Sequence, residues 1–124
     1  MEKNYDCYFD KLQRSGVNAE RTVERFGGLA DLYVKFLDEF AETDRFPEIY
    51  AAFKENDLKK AEMASHKLKG VLGNLGMEEL FAKSEEVMRD IRSNNTDEAV
   101  QKLRQMEPGI EKIKRIIKET PHES

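Results

Sequence analysis

The sequence predicts an all-α fold, an antiparallel four-helix bundle with additional short N-terminal helices. Apolar residues recur at three- and four-residue spacing along most of the chain, which is the spacing of one face of an α-helix. No segment alternates polar and apolar residues between turn signals, as a half-buried strand does. The helical segments are joined by short loops, and short loops place consecutive helices antiparallel.

The N-terminal half divides into four predicted helices, at residues 4–14, 18–26, 29–42 and 47–55. Asn18 is suited to cap the second helix, which Gly27 and Gly28 close. Pro47 is suited to the first turn of the fourth helix, whose Ile49, Tyr50 and Phe53 face inward. Helical spacing in the third helix predicts an apolar stripe that faces the core: Leu32, Tyr33, Phe36, Leu37 and Phe40.

The C-terminal half predicts three longer helices. Asp57 can cap a helix over residues 58–75, and Gly76 separates it from a helix over 77–93. A last helix begins after Asn95 or Thr96, and Pro108 should kink it. The stripes of these last two helices are Leu80, Phe81, Ser84, Val87, Met88 and Ile91, and Ala99, Val100, Leu103, Met106, Ile110, Ile113, Ile116 and Ile117. We expect residues 120–124 to be frayed.

The chain of 124 residues has the usual length of one domain. We expect a single domain over residues 1–124 with a core at about 16–117, and we see no internal repeat, low-complexity segment or linker. The initial methionine and the short tail favour a freestanding protein.

Charge and composition exclude several classes of function. The formal net charge is −4 at pH 7, and the basic residues are interspersed with acids, so no basic stripe offers a footprint for nucleic acid. The sequence contains no run of about 18 apolar residues, which a membrane span would need, and the N-terminus does not have the pattern of a signal peptide. We expect a cytoplasmic protein, and the single Cys7 agrees with a reducing compartment.

The helix over residues 58–75 carries the chemistry. At about 100° per residue, its apolar and small residues fall within roughly 80° of Leu68 and form the buried stripe. His66 lies about 160° from Leu68, at the outer pole of the helix. Gly70 and Gly73 share the face of His66, and Lys69 lies one turn along at its flank. A bare surface beside His66 would let a partner approach the imidazole.

Two interpretations of this face stay open on pattern alone. An exposed histidine is most often a solvated side chain without a task. A glycine inside a helix costs about 1 kcal/mol relative to alanine, and the alternative to access is tight helix packing or a helix end near Gly73. A neutral imidazole is a nucleophile that can carry a covalent group. Lys69 could neutralise a phosphoryl group there, and Glu62 could orient the ring or simply be solvated.

The segment around the histidine resembles the phosphorylation motif of histidine phosphotransfer (HPt) domains. The motif has a histidine, then Leu-Lys-Gly, then a small residue and a closing Leu-Gly, which correspond here to His66, Leu68, Lys69, Gly70, Gly73, Leu75 and Gly76. Residues 16–40 are similar to the N-terminal helix pair of such domains, and the resemblance covers roughly residues 16–117. Ser65 stands where alanine is more usual in the family, and both residues are small.

The resemblance implies a phosphoryl carrier. His66 would accept a phosphoryl group and relay it to or from the aspartate of a receiver domain, in a response regulator or a hybrid histidine kinase. Lys69 would contact the phosphoryl group, and Gly70 would allow close approach. The family needs no dimer, so we expect a monomer. Nothing in the chain resembles a nucleotide-binding kinase domain.

Docking surfaces are usually an apolar patch around the reactive group with a polar rim. Met63, on the outer face one turn before His66, is the candidate apolar contact. Gly73 and the rim complete the predicted partner-binding set, and the rim residues are Lys59, Lys67 and Glu62.

The main alternative is a helical interaction module that docks a receiver or other partner through the same face without covalent phosphotransfer. A hydrolytic enzyme is less favoured, because no second nucleophile or paired carboxylate site is visible. We expect no cofactor and no metal site, since His66, His122 and Cys7 lack metal-ligand spacing, and any Mg²⁺ would come from the receiver.

Overall fold

The computed structural model describes residues 4–123 and shows seven helices there. They are α1 (Asp6–Arg14), α2 (Ala19–Arg25), α3 (Ala30–Glu42), α4 (Phe46–Lys54), α5 (Leu58–Asn74), α6 (Glu78–Arg92) and α7 (Thr96–Glu119). In this part of the chain there is no strand, and Val17 and Met77 form an isolated antiparallel bridge. The all-α prediction is confirmed.

The longer helices form a bundle whose order around the core follows from their contacts. Helix α5 packs against α6, α6 against α7, and α3 and α4 close the bundle by packing on α7, with α4 also on α5. Because only residues 75–77 and 93–95 join α5 to α6 and α6 to α7, those neighbours run antiparallel. The short helices α1 and α2 pack on each other beside α7 and α3. The predicted four-helix bundle with short N-terminal helices is therefore confirmed.

Side-chain caps explain the starts of α2 and α5. The Asn18 side chain accepts a hydrogen bond from the backbone N–H of Arg21 at 3.4 Å, and that of Asp57 accepts one from Lys60 at 3.1 Å. Pro47 lies in the first turn of α4 as predicted. Helix α7 begins after Asn95 and continues through Pro108 as a single helix.

The predicted core face of α3 is partly wrong. Leu32 and Phe36 are 38% and 40% exposed. The side chains of α3 that do reach the core are Tyr33, Val34, Leu37, Phe40 and Ala41. The apolar stripe is wider than the surface α7 covers, so its edge stays open to solvent. Leu29, just before α3, is also exposed, at 59%.

The prediction of a frayed C-terminus is wrong for the described part of the tail. The His122 ring stacks on Tyr8 with centroids 4.2 Å apart, and its Nε2 lies 2.8 Å from the carbonyl oxygen of Ile117. The same nitrogen is 3.6 Å from a carboxylate oxygen of Asp38. These contacts hold the segment after α7 against α1 and α3.

Lys114 is a buried lysine that the helical pattern did not predict. Its ammonium donates a hydrogen bond to the carbonyl oxygen of Thr43 at 2.8 Å and lies 5.6 Å from the centroid of the Phe40 ring. Since Thr43 ends α3, this bond joins the C-terminal end of α3 to α7.

We expect Lys114→Met to lower the free energy of unfolding by about 1–2 kcal/mol, because the Thr43 carbonyl loses a charged donor while the apolar stem is kept. Urea unfolding measures this effect. Lys112→Met, at an exposed position of the same helix, is the control and should change stability by no more than about 0.5 kcal/mol. Equal stability of the two variants would show that the buried bond contributes nothing.

Candidate functional site

His66 lies midway along α5 on its exposed face. The opposite face is buried in the bundle and consists of small and apolar residues: Ala61, Ala64, Ser65, Leu68 and Leu72. Among the described residues, no hydrogen bond or ion pair involves the imidazole of His66. The orientation predicted from helical spacing is confirmed, and the ring nitrogens are open to an incoming group.

Gly70 leaves the surface one turn beyond His66 bare. A Cβ built at this position meets no heavy atom within 4 Å, so no packing contact requires a glycine. The residue is exposed in the middle of a helix, where glycine destabilises by about 1 kcal/mol relative to alanine. Open space beside the histidine is therefore the feature that Gly70 provides.

Gly73 has a different reason. A Cβ there would lie 3.1 Å from two carbons of the Phe81 ring, closer than ordinary van der Waals contact. The glycine lets α5 and α6 approach closely at this point, which is the tight packing that the pattern left open. The interpretation that Gly73 mainly clears an approach to His66 is replaced by this packing.

Gly76 lies in the short turn that joins α5 to α6. Its φ is +81°, in the left-handed region, and a Cβ would overlap Oγ1 of Thr22. Its carbonyl accepts a hydrogen bond from the backbone N–H of Asn18 at 2.8 Å. Gly76 thus anchors the start of α2 beside the C-terminal end of α5.

Lys69 lies toward α6. Its ammonium nitrogen is 4.0 Å from Oε2 of Glu85 and 5.6 Å from the centroid of the Phe81 ring, and its side chain is 27% exposed. The ion pair is long and partly solvated, so it holds the ammonium only weakly. A flexible four-carbon stem lets this cation move toward a group on the neighbouring turn.

Glu62 binds Arg92. Its Oε1 accepts a hydrogen bond from Nε of Arg92 at 2.8 Å, across the contact between α5 and α6. The interpretation that this carboxylate orients the imidazole of His66 is wrong in this structure, because it is bonded to the guanidinium instead. Sequence reasoning missed Arg92, which lies 30 residues away along the chain.

The other predicted docking residues lie around His66 on the outer surface. Met63 is 58% exposed, and Lys59 and Lys67 are exposed as well. None of the three is needed for the core. The exposed thioether side chain of Met63 fits the predicted apolar contact one turn before His66.

A groove with apolar and polar walls lies beside the C-terminal part of α5, beyond His66; its polar lining residues are Glu39, Thr43, Arg45 and Asn74. It has a volume of about 440 Å³ between α3 and α5, and its lining includes Phe26, Phe36, Phe40, Val71 and Leu75. The exposed Leu32 belongs to the same helix as Phe36. Sequence reasoning assigned Leu32 and Phe36 to the core and so missed this surface.

Within residues 4–123, no group of three or more histidine, cysteine, aspartate or glutamate side chains is placed to hold a metal ion. In the same residues, no helix is both long enough and apolar enough to cross a membrane.

The fold and the site together describe a helical-bundle domain with an exposed, unpartnered histidine beside a glycine that leaves the surface open. The Hpt domain family model matches residues 31–116, more than half of the chain and a range that contains His66. The chain therefore belongs to the Hpt domain family, whose members act in phosphotransfer of two-component signalling and interact with receiver domains. Comparisons with curated proteins and with solved structures gave no significant match.

Proposed function

We propose that this chain is a histidine-containing phosphotransfer protein, which accepts a phosphoryl group on His66 and relays it to or from a receiver-domain aspartate. The observation that carries the proposal is the exposed, unpartnered imidazole midway along α5, one turn from the open surface at Gly70. Family membership supports the same role.

The transfer step needs little from this chain beyond the imidazole. A ring nitrogen lone pair of His66 attacks the phosphorus of the receiver's aspartyl phosphate, and the N–P bond forms as the acyl P–O bond breaks. The electron pair of the broken bond leaves with the aspartate carboxylate. The proton on the other ring nitrogen stays on the ring or passes to water, and the return transfer reverses each change.

Lys69 is the proposed phosphoryl contact on this chain. A phosphoryl group on His66 brings a charge of about −2 within one helical turn of the ammonium. That charge competes with Glu85, which now holds Lys69 at 4.0 Å. We infer that Lys69 turns from Glu85 toward the phosphoryl group when His66 is charged. The Mg²⁺ needed for aspartyl phosphate chemistry belongs to the receiver.

The proposed docking surface extends along α5 in both directions from His66: back to Met63 on the preceding turn and forward to the groove between α3 and α5. Four large apolar side chains are exposed in the described residues, and three of them, Leu29, Leu32 and Phe36, belong to or directly precede α3. Lys59, Lys67 and Glu62 form the polar rim, which steers association more than it adds affinity. An apolar centre with a charged rim is the usual anatomy of a protein interface.

We expect Met63→Lys to slow transfer from a charged receiver about tenfold when both proteins are well below saturating concentrations. The reason is that burial of the thioether side chain is lost and a charge must be desolvated. Circular dichroism should show an unchanged fold, since Met63 is 58% exposed. Gln101→Lys, which adds the same charge on the outer face of α7, is the control. Transfer by Met63→Lys at the wild-type rate would remove this residue from the interface.

The proposed function is tested by mixing the chain with receiver domains of its own genome that have been charged with a small acyl phosphate. A carrier gains one acid-labile phosphoryl group while the receiver loses its own. Binding of a receiver without any gain of phosphoryl would favour the alternative, a non-covalent docking module that uses the same apolar surface.

A further inference from the structure

A second cleft lies beside Gly70, on the side of the site away from Met63. It has a volume of about 490 Å³, and two arginines of α2, Arg21 and Arg25, line it together with Gly70, Gly73 and Phe81. On α5 the cleft is lined by Gly70, Gly73 and Asn74, so two of these three positions carry no side chain. The cleft opens next to the turn of α5 that follows His66.

Arg25 has a structural role in this cleft. Its Nη2 donates hydrogen bonds to the carbonyl oxygen of Gly73 at 3.2 Å and to Oγ1 of Thr22 at 3.3 Å. A cation bonded to a carbonyl of the last turn of a helix is stabilising, because that end carries partial negative charge. Arg25 thus fastens α2 to the end of α5.

Arg21 has no such partner. Among residues 4–123, no ion pair or hydrogen bond involves its guanidinium, and the residue is exposed. It stands one turn from Arg25 on the same short helix, and like charges at this spacing repel. The acid in the cleft, Glu78, accepts a hydrogen bond from Nδ2 of Asn18 at 3.2 Å. The cleft therefore carries an excess positive charge in a chain whose net charge is −4.

The cleft lies close enough to His66 to be covered by a protein that docks over the imidazole. Gly70 follows His66 by four residues, which is about 6 Å along the helix. A stable interface buries about 800 Å² on each partner, equivalent to a disc of roughly 16 Å radius. A receiver centred on His66 therefore covers Gly70, and the missing side chain at Gly70 leaves the cleft open to that partner.

We propose that Arg21 binds a carboxylate of the receiver at the edge of the docked interface. This inference rests on the proposed function and adds a docking residue to it. A guanidinium pairs with a carboxylate through two parallel hydrogen bonds, and an unpaired one is free to do so without breaking an existing contact. Gly70 lines the cleft and His66 does not, so the proposal assigns a group of the partner to Arg21. The half-life of the phosphohistidine separates this assignment from contact with the phosphoryl group.

The experiment compares the full chain with Arg21→Gln, Arg21→Lys and a control, Arg115→Gln, which removes an exposed arginine of α7 outside the cleft. Each protein is charged with phosphoramidate without any receiver, and the half-life of its phosphohistidine is measured. The receiver domain to which the charged wild type transfers fastest is then used for transfer rates at low and high salt. Calorimetry gives the affinity for the same receiver without phosphate.

We expect Arg21→Gln to lower the second-order rate of transfer about fivefold at low salt and to reduce its salt dependence, because a steering charge is lost. Arg21→Lys should recover part of the rate, Arg115→Gln should match the wild type, and all half-lives should be equal. Unchanged transfer and binding in Arg21→Gln would overturn the proposal. A shortened half-life would also overturn it, by placing Arg21 on the phosphoryl group.

Failure of the phosphotransfer function and failure of the docking role of Arg21 give different results in this experiment. If the wild type takes up no phosphoryl group from phosphoramidate or from charged receivers, the phosphotransfer function is wrong. In that case calorimetry uses the receiver that the wild type binds most tightly, and weaker binding of it by Arg21→Gln would still support Arg21 as a docking residue. Equal binding would remove it.

Discussion

We expect His66→Gln to abolish phosphoryl uptake from a charged receiver while the fold and the receiver affinity are retained. Glutamine has no ring nitrogen that can form the N–P bond, so the loss should be complete. The side chain is exposed and makes no hydrogen bond or ion pair within residues 4–123, so the free energy of unfolding should change by no more than about 0.5 kcal/mol. Intact mass after mixing and urea unfolding measure the two effects.

The other histidine of the chain is the matched control. His122 stacks on Tyr8 and contacts the Ile117 carbonyl, so its ring is committed to packing. We expect His122→Gln to keep full uptake and to lose some stability. Uptake by His66→Gln, or its loss in His122→Gln alone, would contradict the assignment of the acceptor.

The second large effect is expected at Gly76. Gly76→Ala must place a side chain at a φ of +81° and against Oγ1 of Thr22, which must move. A left-handed conformation costs an alanine about 1–2 kcal/mol, and displacement of the buried Thr22 adds to it. We expect a total loss of roughly 2–4 kcal/mol in the free energy of unfolding, measured by urea denaturation.

Gly70→Ala, in the middle of α5 and not in the segment that follows it, is the contrasting substitution. Nothing lies within 4 Å of the added Cβ, so stability should rise by about 0.5–1 kcal/mol through helix propensity alone. Transfer to a receiver should nevertheless slow, since the new methyl group stands where the partner approaches. If Gly76→Ala were as stable as the wild type, the close approach of Thr22 would not be a constraint on the fold. If Gly70→Ala transferred at the wild-type rate, Gly70 would not be needed for access.

The orientation of His66 could be predicted from sequence because it depends on one helix. The buried stripe of α5 is continuous from Ala61 to Leu72, and a helix with one apolar face has only one way to pack. Local caps such as Asp57 and the break at Gly76 also depend on neighbouring residues, and both were predicted.

The contacts across α5 and α6 could not be predicted in the same way. The Glu62–Arg92 and Lys69–Glu85 pairs depend on the register of two helices, which helical periodicity does not encode. The packing of Gly73 on Phe81 has the same origin.

The exposed edge of α3 shows a related limit. A stripe wide enough for Leu32 and Phe36 predicts burial only if a neighbouring helix is wide enough to cover it, and α7 is not. The uncovered residues form part of the proposed docking surface, so the error in the core prediction falls on a candidate functional region.

The most direct test of the account is to locate the phosphoryl group on the charged protein. A two-dimensional phosphorus–proton NMR correlation at mildly alkaline pH, where phosphohistidine persists, links the phosphorus to the protons of the ring that carries it. We expect one phosphorus signal that correlates with the ring protons of His66 and is absent in His66→Gln. Correlation with His122, or a phosphorus signal that persists in His66→Gln, would contradict it.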